Sequence, residues 1–298
     1  MAVSTEQLIT WSHQGAVTTS KTTYLTIRNA LESQNASYKN KDFEIFLQGS
    51  YGNDTNVYAE SDVDVVIKLN DTFYYDTDRV SSEQEKERIR NYISPATYYY
   101  DQFKADVLSV LKDKFGSDVK EGKKAISIDT NGARRKTDVV VACAYREYYR
   151  YFPGYSPEYY EGIFFLTNEG KKIVNYPKQH SDNLTARHQA TNKKLKPMIR
   201  VFKNIKNKLV EQGIIDTKSA PSYYIEGLLY NVPCYNFNAG LYDILYNILT
   251  WYKNEQDKSN LLCANKMRWL FRDGTPVSWN EADCNNFIEE VEDFLCRL

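Results

Sequence analysis

The sequence predicts an α+β fold, in which a mixed sheet with packed helices is followed by a helical C-terminal lobe. Short apolar runs rich in β-branched and aromatic residues, separated by turn residues, recur through the first half of the chain. From Leu184 onward, apolar residues instead recur at the three-and-four spacing of helices. A chain of 298 residues is long enough for about two domains. We therefore expect one domain over residues 1–180 and a helical domain over residues 181–298.

The N-terminal region, residues 4–35, is predicted to be mostly helical. Ser4 can serve as the helix N-cap, since Gln7 stands three residues later. Apolar residues then recur at approximately helical spacing up to Leu31. We expect a long N-terminal spine helix.

The most informative stretch is residues 43–69, where two predicted strands flank a turn. Residues 43–47 are apolar and β-forming, and the sequence Gln48-Gly49-Ser50-Tyr51-Gly52-Asn53 that follows predicts a tight turn. Residues 63–69 predict a second strand, and Asp62 and Asp64 stand at its start. Strand alternation places the two carboxylates on one face of the sheet.

Two neighbouring carboxylates repel each other unless a cation lies between them. The turn can offer backbone N–H groups to phosphate oxygens, and hard carboxylate oxygens suit Mg²⁺. This combination of strand, Gly-Ser turn, acid pair and strand predicts a magnesium–triphosphate site. The Asp-x-Asp spacing alone has no such meaning, because Asp76-Thr77-Asp78 repeats it in a polar run that predicts a solvated loop.

The middle of the chain returns to strands after a polar interval. Residues 70–94 are polar and charged and predict a surface excursion, after which Pro95 opens a helix that runs to Phe115. The remaining predicted strands and turns lie at residues 125–128, 131–132, 137–145, 162–166 and 172–174. Residues 162–166 and 172–174, joined by a turn at 167–170, predict a hairpin.

Asp138 stands at the head of the apolar strand 137–145, where an unpaired carboxylate is costly to bury. Taken alone, it has two interpretations. It can face solvent or pair with Arg134 or Arg135, or it can bind a metal ion. Because the acid pair at residues 62–64 is already present, a third carboxylate would complete a two-metal set, and we favour the metal ligand.

The helix that passes through Leu209 carries an excess of positive charge. Eight Lys or Arg and no acid lie between Arg187 and Lys208. Three of the cations share one stripe of the helix, namely Lys196, Arg200 and Lys203. Unrelieved positive charge costs helix stability, so either an anion lies nearby or the stripe is a solvated basic face. A later helix, 222–231, follows Pro221 and offers N–H groups to a phosphate at its N-terminus.

Composition narrows the class of protein. A formal net charge of −1 provides no overall field for nucleic acid or a membrane surface. Five scattered cysteines without a C-x-x-C pair argue against a disulfide scaffold or a zinc site, and for a reducing compartment. No signal peptide and no apolar run of about 18 residues is present, so we expect a cytoplasmic protein without a membrane partner. The 25 tyrosines can stack on bases, but half-buried structural positions are the favoured interpretation.

These motifs resemble those of a known family. The sequences at 47–53 and 61–66, with Asp138 on a later strand, resemble the polymerase-β-like nucleotidyltransferases. In the C-terminal half, K-P-M-I-R-V-F-K-N-I-K and A-P-S-Y-Y-I-E are similar to the CD-NTases, bacterial relatives of cyclic GMP-AMP synthase and oligoadenylate synthase. The similarity spans residues 5–249. The zinc-binding insertion of the animal synthase is missing from this sequence, so activation by double-stranded DNA is not implied.

The resemblance implies roles for individual residues. The catalytic residues and ligands of two Mg²⁺ ions, with Mn²⁺ as an alternative, would be Asp62, Asp64 and Asp138. Lys203 and Ser222 match phosphate-binding residues of the family, and Tyr223 matches the aromatic residue that stacks on the donor base. The donor nucleotide would also be held by Gln48, Gly49 and Ser50. Asn168 falls where these enzymes read the base edge, and in one clade an asparagine there accompanies uracil; the alternative is an Asn that merely suits a turn.

The implied activity joins two or three NTPs, with ATP and UTP favoured, into a cyclic oligonucleotide such as cyclic UMP-AMP or cyclic di-UMP. Pyrophosphate would leave, and the product would be a second messenger in anti-phage defence. We expect a monomer that binds no specific nucleic-acid sequence and whose product acts on a separate effector. The alternatives are a purine-only synthase, a nucleotidyltransferase acting on tRNA or protein, and a catalytically dead nucleotide- or RNA-binding module. The three carboxylates argue against the last of these.

Overall fold

The computed structural model describes residues 3–15, 17–58, 62–255, 257–275 and 277–296. It confirms the α+β fold. The strands of the described residues are β1 (Phe43–Leu47), β2 (Val63–Asp76), β3 (Val119–Glu121), β4 (Ile126–Ile128), β5 (Thr137–Arg150), β6 (Glu158–Leu166) and β7 (Lys172–Asn175). The α-helices are α1 (Thr5–Ser12), α2 (Val17–Leu31), α3 (Gly49–Gly52), α4 (Glu83–Tyr92), α5 (Tyr100–Phe115), α6 (Pro177–Ala190), α7 (Leu195–Glu211), α8 (Ser222–Asn231), α9 (Leu241–Asn254) and α10 (Glu281–Cys296).

One mixed sheet is formed by the seven strands of the described residues. Its two long central strands, β2 and β5, are parallel, and β1 pairs with β2 in the antiparallel sense. The other edge of β5 pairs first with β4 and then with β6, and β6 continues into the predicted hairpin with β7. Apolar residues of β2 and β5 are buried almost continuously, as expected for central strands covered on both faces.

The chain divides into two compact units, each built from separate segments. Unit 1 consists of Met1–Val17, Gly49–Glu60 and Lys178–Leu298, and unit 2 of Thr18–Gln48 and Ser61–Pro177. The chain therefore passes from one unit to the other four times. The domain division that we expect at residue 180 stays a prediction.

Unit 1 has a helical core centred on α7. The apolar residues expected on its buried face, from Leu195 to Leu209, are fully buried, and α1, α8, α9 and α10 pack around the helix. In unit 2, α5 packs on the sheet and buries Phe103, Val107 and Leu111. No described helix combines the length and the apolar character needed to span a bilayer.

The structure of residues 70–94 differs from the polar surface segment that the sequence predicted. Strand β2 continues to Asp76, because pairing with β5 resumes at Phe73 after an irregularity that begins at Leu69. Asp76 therefore ends a strand and accepts a hydrogen bond from the Tyr145 hydroxyl. The prediction of a loop with no strand behind it is wrong for the Asp76-Thr77-Asp78 sequence. Helix α4 follows, with Ser82 as its N-cap.

Three other predictions need smaller corrections. The N-terminal helix is capped by Ser4 as predicted, but it ends at Ser12 and a separate helix α2 follows. The tight turn predicted after β1 is the short helix α3. Helix α5 begins at Tyr100 and not at Pro95. Proline fixes its φ angle at a value that suits the first turn of a helix. The sequence does not show how many residues of extended chain separate the proline from the helix.

Candidate active site

Two of the three predicted metal ligands lie opposite each other on the central strands of unit 2. In the parallel register of β2 and β5, Asp64 pairs with Asp138. Paired residues of parallel strands point to the same face, and neighbouring strands are about 4.8 Å apart. Both aspartates are partly buried, whereas their chain neighbours Val63 and Thr137 are fully buried. The fold therefore brings two carboxylates together on one face of the sheet.

Asp62, the third predicted ligand, precedes β2 and is held by a cation. Its Oδ2 lies 2.9 Å from Nζ of Lys136, two residues before Asp138, and this hydrogen bond raises the pKa of Lys136. Arg134, a candidate partner of Asp138 in the sequence, binds Asp118 instead. Among the described residues, no three carboxylate, imidazole or thiolate groups are gathered closely enough to hold a metal ion. Two carboxylates are thus in register, and the third is engaged by a lysine.

The Gly-Ser sequence lies in α3, which is part of unit 1. Gly49 has a φ of +62°, a left-handed conformation that a residue with a Cβ adopts at a cost. Two residues of the segment after the helix close its C-terminal end. The Asn53 N–H donates to the Gly49 carbonyl at 3.0 Å, and the Thr55 N–H donates to the Ser50 carbonyl at 2.9 Å. Gln48, the last residue of its unit 2 segment, donates its N–H to the Asp64 carbonyl at 3.0 Å.

The basic stripe of α7 is buried beneath residues 53–56 of unit 1. Nζ of Lys196 lies 3.0 Å from Asp54 Oδ2. The Arg200 guanidinium donates to the carbonyl oxygens of Asp54 and Ser12, both at 2.6 Å. Nζ of Lys203 donates to the carbonyl and hydroxyl oxygens of Thr55, both at 3.2 Å. A solvated basic face is therefore wrong, and the chain itself supplies acceptors for the stripe.

The anion of this region is Glu226 on α8, which was not predicted from the sequence. Its side chain is 3% exposed, and its Oε1 lies 3.1 Å from Nζ of Lys203 and accepts from the Thr55 hydroxyl. Its Oε2 accepts from Asn53 Nδ2 at 2.9 Å and lies 2.7 Å from His180 Nε2. Burial alone would raise the pKa of Glu226, but Lys203 and His180 outweigh it and hold the pKa below its ordinary value. An acid inside the otherwise apolar helix 222–231 was the available signal.

The other predicted nucleotide-binding residues lie at a helix start and in a hairpin. Ser222 opens α8, as predicted. The ring of Tyr223 stacks on His180 with centroids 4.8 Å apart, its hydroxyl accepts from Asn265 at 2.9 Å, and burial raises its pKa. Asn168 lies in the β6–β7 turn of unit 2 with its side chain exposed, and its N–H donates to the Lys123 carbonyl.

Comparison with known proteins identifies the family. Residues 182–296 match the cGAS/DncV-like nucleotidyltransferase C-terminal helical domain, and residues 26–135 match the nucleotidyltransferase domain. The cyclic UMP-AMP synthase of Rhodothermus marinus is 39% identical over 297 residues, which is 98% of each chain. The chain belongs to the CD-NTase family. The resemblance seen in the sequence motifs is confirmed.

Other CD-NTases extend the comparison. The structure of Rhodothermus marinus CdnE c-UMP-AMP synthase with Apcpp and Upnpp has a TM-score of 0.87 at 37% identity, covering 99% of this chain and 97% of that chain. The cyclic dipurine nucleotide synthase of Elizabethkingia meningoseptica is 31% identical over 297 residues, 99% of each chain. CD-NTases that match this chain along its whole length therefore differ in the bases that their names specify.

Proposed function

We propose that this CD-NTase joins two NTPs, or three, into a cyclic oligonucleotide and releases pyrophosphate in a Mg²⁺-dependent reaction. The observation that carries the proposal is the register of β2 and β5, which sets Asp64 opposite Asp138. Two carboxylates on adjacent strands repel each other, and a bound divalent cation would relieve this repulsion. The names of the matching relatives support the product class.

The metal ions are assigned to Asp62, Asp64 and Asp138. Hard carboxylate oxygens on adjacent strands fit Mg²⁺, and Mn²⁺ accepts the same ligands. Two ions would neutralise the triphosphate of the donor and lower the pKa of the acceptor ribose hydroxyl. Asp62 would join this set by releasing its contact with Lys136.

The residues perform the remaining steps by positioning and proton transfer. Asp138 takes the proton from the acceptor ribose hydroxyl, and the hydroxyl oxygen attacks the α-phosphorus of the donor. The bond to the β-phosphate oxygen breaks in line, and pyrophosphate leaves. A second transfer closes the ring. Because little covalent chemistry is asked of the protein, the rate depends on orientation and charge.

The donor nucleotide is assigned mainly to residues of unit 1. The triphosphate is bound by backbone groups of Gly49 and Ser50, which follow Gln48 in the chain. Ser222 at the start of α8 binds it as well. The ring of Tyr223 stacks on the donor base. Lys203 contributes through Thr55, since its ammonium group lies against that residue.

For the bases, we propose ATP and UTP, read at the base edge by Asn168, with cyclic UMP-AMP or cyclic di-UMP as the product. The exposed side chain of Asn168 is available for such a contact. The dipurine relative makes a purine-only product the second candidate. Because this relative matches 99% of the chain, the bases that the enzyme joins have to be identified by experiment.

The proposed setting is the bacterial cytoplasm, where the product is an anti-phage second messenger read by a separate effector. The five cysteines, all within the described ranges, are free thiols, as suits a reducing compartment. A net charge of −1 gives no general attraction to nucleic acid. We propose that the enzyme acts as a monomer.

The test uses each labelled NTP, alone and in pairs, with Mg²⁺ or Mn²⁺, followed by phosphatase. We expect a phosphatase-resistant small product that carries label from both ATP and UTP. Asp64→Asn and Asp138→Asn should lower its yield by at least about 100-fold, because each removes a metal ligand. Asp78→Asn is the matched control from the second Asp-x-Asp and should stay active. A purine-only product contradicts the base assignment, and an active Asp64→Asn contradicts the metal assignment.

A further inference from the structure

Glu226 is a buried carboxylate of unit 1 that the proposed reaction does not use. Its oxygens receive contacts from four side chains on three other segments: Asn53 and Thr55 after α3, His180 on α6 and Lys203 on α7. A buried ion pair adds little net stability compared with apolar residues of the same volume. The convergence of these segments on one carboxylate therefore needs another reason. The further contacts made by the partners of Glu226 indicate what it is.

On one side, Glu226 is connected to α3 by two short chains of hydrogen bonds. Asn53 binds Glu226 through its side chain and the Gly49 carbonyl through its backbone N–H. Thr55 binds Glu226 through its hydroxyl and the Ser50 carbonyl through its backbone N–H. Each of the two α3 residues assigned to the donor triphosphate is thus joined to Glu226 through a single intervening residue.

On the other side, Glu226 is connected to the ring assigned to the donor base. His180, 3% exposed, places Nε2 against Glu226 and its ring face against Tyr223, with an interplanar angle of 22°. Tyr223 precedes Glu226 by three residues on α8, so the two side chains lie on the same side of that helix. The carboxylate therefore orients the imidazole that supports the tyrosine ring.

We propose that Glu226 is a positioning residue that fixes the donor-nucleotide site at its phosphate end, through Asn53 and Thr55, and at its base end, through His180 and Tyr223. Lys203 is the counter-ion that keeps this carboxylate buried and charged. The inference rests on the donor-site residues of the proposed function. It assigns Glu226 no contact with the nucleotide.

Two variants test the proposal without leaving an unpaired buried charge. Thr55→Val keeps the size of the side chain and removes its hydroxyl from Glu226. The double variant Glu226→Gln with Lys203→Met removes both charges together, which folded proteins generally tolerate. The matched control is Glu147→Gln in unit 2, where Glu147 is 7% exposed and bound to Arg79 and Tyr176.

The readouts are the Kd for the non-hydrolysable ATP analogue Apcpp with Mg²⁺, measured by calorimetry, and kcat and KM for ATP. Far-UV circular dichroism checks that each variant is folded. We expect both test variants to raise the Kd and the KM by about tenfold, with a smaller change in kcat, because misplaced binding groups weaken the donor complex. The Glu147→Gln control should lower the melting temperature but keep the Kd within about twofold.

The outcomes separate the two proposals. If the wild-type protein binds Apcpp and Thr55→Val and the double variant bind it equally well, the positioning role is wrong and the proposed function stands. If the control weakens Apcpp binding as much as the test variants, the effect is general destabilisation, and the inference is again wrong. If the wild-type protein does not bind Apcpp, the donor-site assignment fails and the inference fails with it.

Discussion

At the scale of single residues, Gly49 occupies a backbone conformation that side chains disfavour. With a φ of +62°, it starts α3 from the left-handed region. Gly213 has a φ of +70° just after the end of α7, and open space surrounds the position of its missing Cβ. The two glycines therefore share a conformational requirement, although only one belongs to the proposed donor site.

Replacing each glycine with alanine separates strain from function. Both Gly49→Ala and Gly213→Ala should reduce the free energy of unfolding by about 1 kcal/mol, because each forces a Cβ into the left-handed region. Only Gly49→Ala should also impair product formation, since it distorts α3. Urea denaturation and the labelled-NTP assay measure the two effects. Equal activity of the two variants would remove Gly49 from the donor site.

We expect the stability of unit 1 to depend on pH through His188. Burial lowers its pKa to about 4, assisted by Lys196, Arg200 and Lys193 against the opposing effect of Asp54. Its Nδ1 also accepts from the Lys196 N–H at 3.3 Å. The imidazole is therefore neutral in the fold at a pH where an unfolded histidine is protonated.

The stability that depends on neutral His188 is complete above pH 6.5 and declines as the pH falls towards about 4, because the unfolded chain binds the proton first. Between pH 7 and pH 5, the wild-type protein should lose about 1 kcal/mol more than His188→Gln, in which a carbonyl oxygen replaces the acceptor; this figure is reduced for solvent screening, because His188 is only partly buried. Urea denaturation at the two pH values measures the difference. Identical losses would show that His188 titrates normally in the fold.

At the scale of elements, α7 buries both its apolar face and its basic stripe. Its apolar residues fill the core of unit 1, and the cations of its basic stripe are 1–9% exposed. Lys203 faces the buried Glu226, whereas Lys68 on β2, which is also buried, pairs with the partly exposed Glu44 and Glu161. Lys203 and Lys68 are buried to a similar extent, but their partner acids differ in exposure to solvent.

Removing each lysine should have unequal costs. Lys203→Met strands a buried carboxylate and should reduce the free energy of unfolding by about 3 kcal/mol or more. Lys68→Met should cost about 1 kcal/mol, because side chains that are 31% and 45% exposed can regain water. Chemical denaturation of both variants provides the comparison. If Lys68→Met were the more damaging, burial of the partner acid would not determine the cost of removing the lysine.

Sequence patterns predicted the elements whose signal is local. The strand 43–47, the β6–β7 hairpin and the buried face of α7 follow from residue type and spacing alone. The continuation of β2 past Asn70 was missed because its support comes from distant β5. The burial of Lys196, Arg200 and Lys203 was equally invisible, since their spacing is also that of a solvated stripe. What covers a helix face is decided by the tertiary structure.

The same distinction applies to the candidate site. Asp62, Asp64 and Asp138 were chosen from their places at strand starts, and the in-register pairing of the last two follows from the parallel sheet. Glu226 was missed because a lone acid in a helix gives no indication of which groups reach it. Its partners are separated from it by up to 173 residues along the chain.

At the scale of the whole molecule, unit 1 is discontinuous along the chain. Residues 1–17 and 49–60 belong with the C-terminal helices. Their carbonyl and side-chain oxygens, at Ser12, Asp54 and Thr55, accept hydrogen bonds from the buried cations of α7. Residues 181–298 taken alone would leave these cations without those acceptors.

A fragment of residues 181–298 tests the domain division expected from the sequence. We expect it to be partly helical but to unfold without a cooperative thermal transition, because unpaired buried charges destabilise its core. Circular dichroism melting and the dispersion of amide proton signals measure this. The full chain is the control and should melt cooperatively. A cooperative melt of the fragment would support an autonomous domain that begins at residue 181.

The segmentation of unit 1 has a consequence for building chimaeras of related synthases. A single crossover near residue 180 would graft foreign C-terminal helices onto the recipient's own residues 1–17 and 49–60. Recombinants that transplant all three segments as a set keep the partners of the basic stripe and the surroundings of Glu226 together. Libraries that swap base preference between homologues should therefore draw their crossovers at 17/18, 48/49, 60/61 and 177/178.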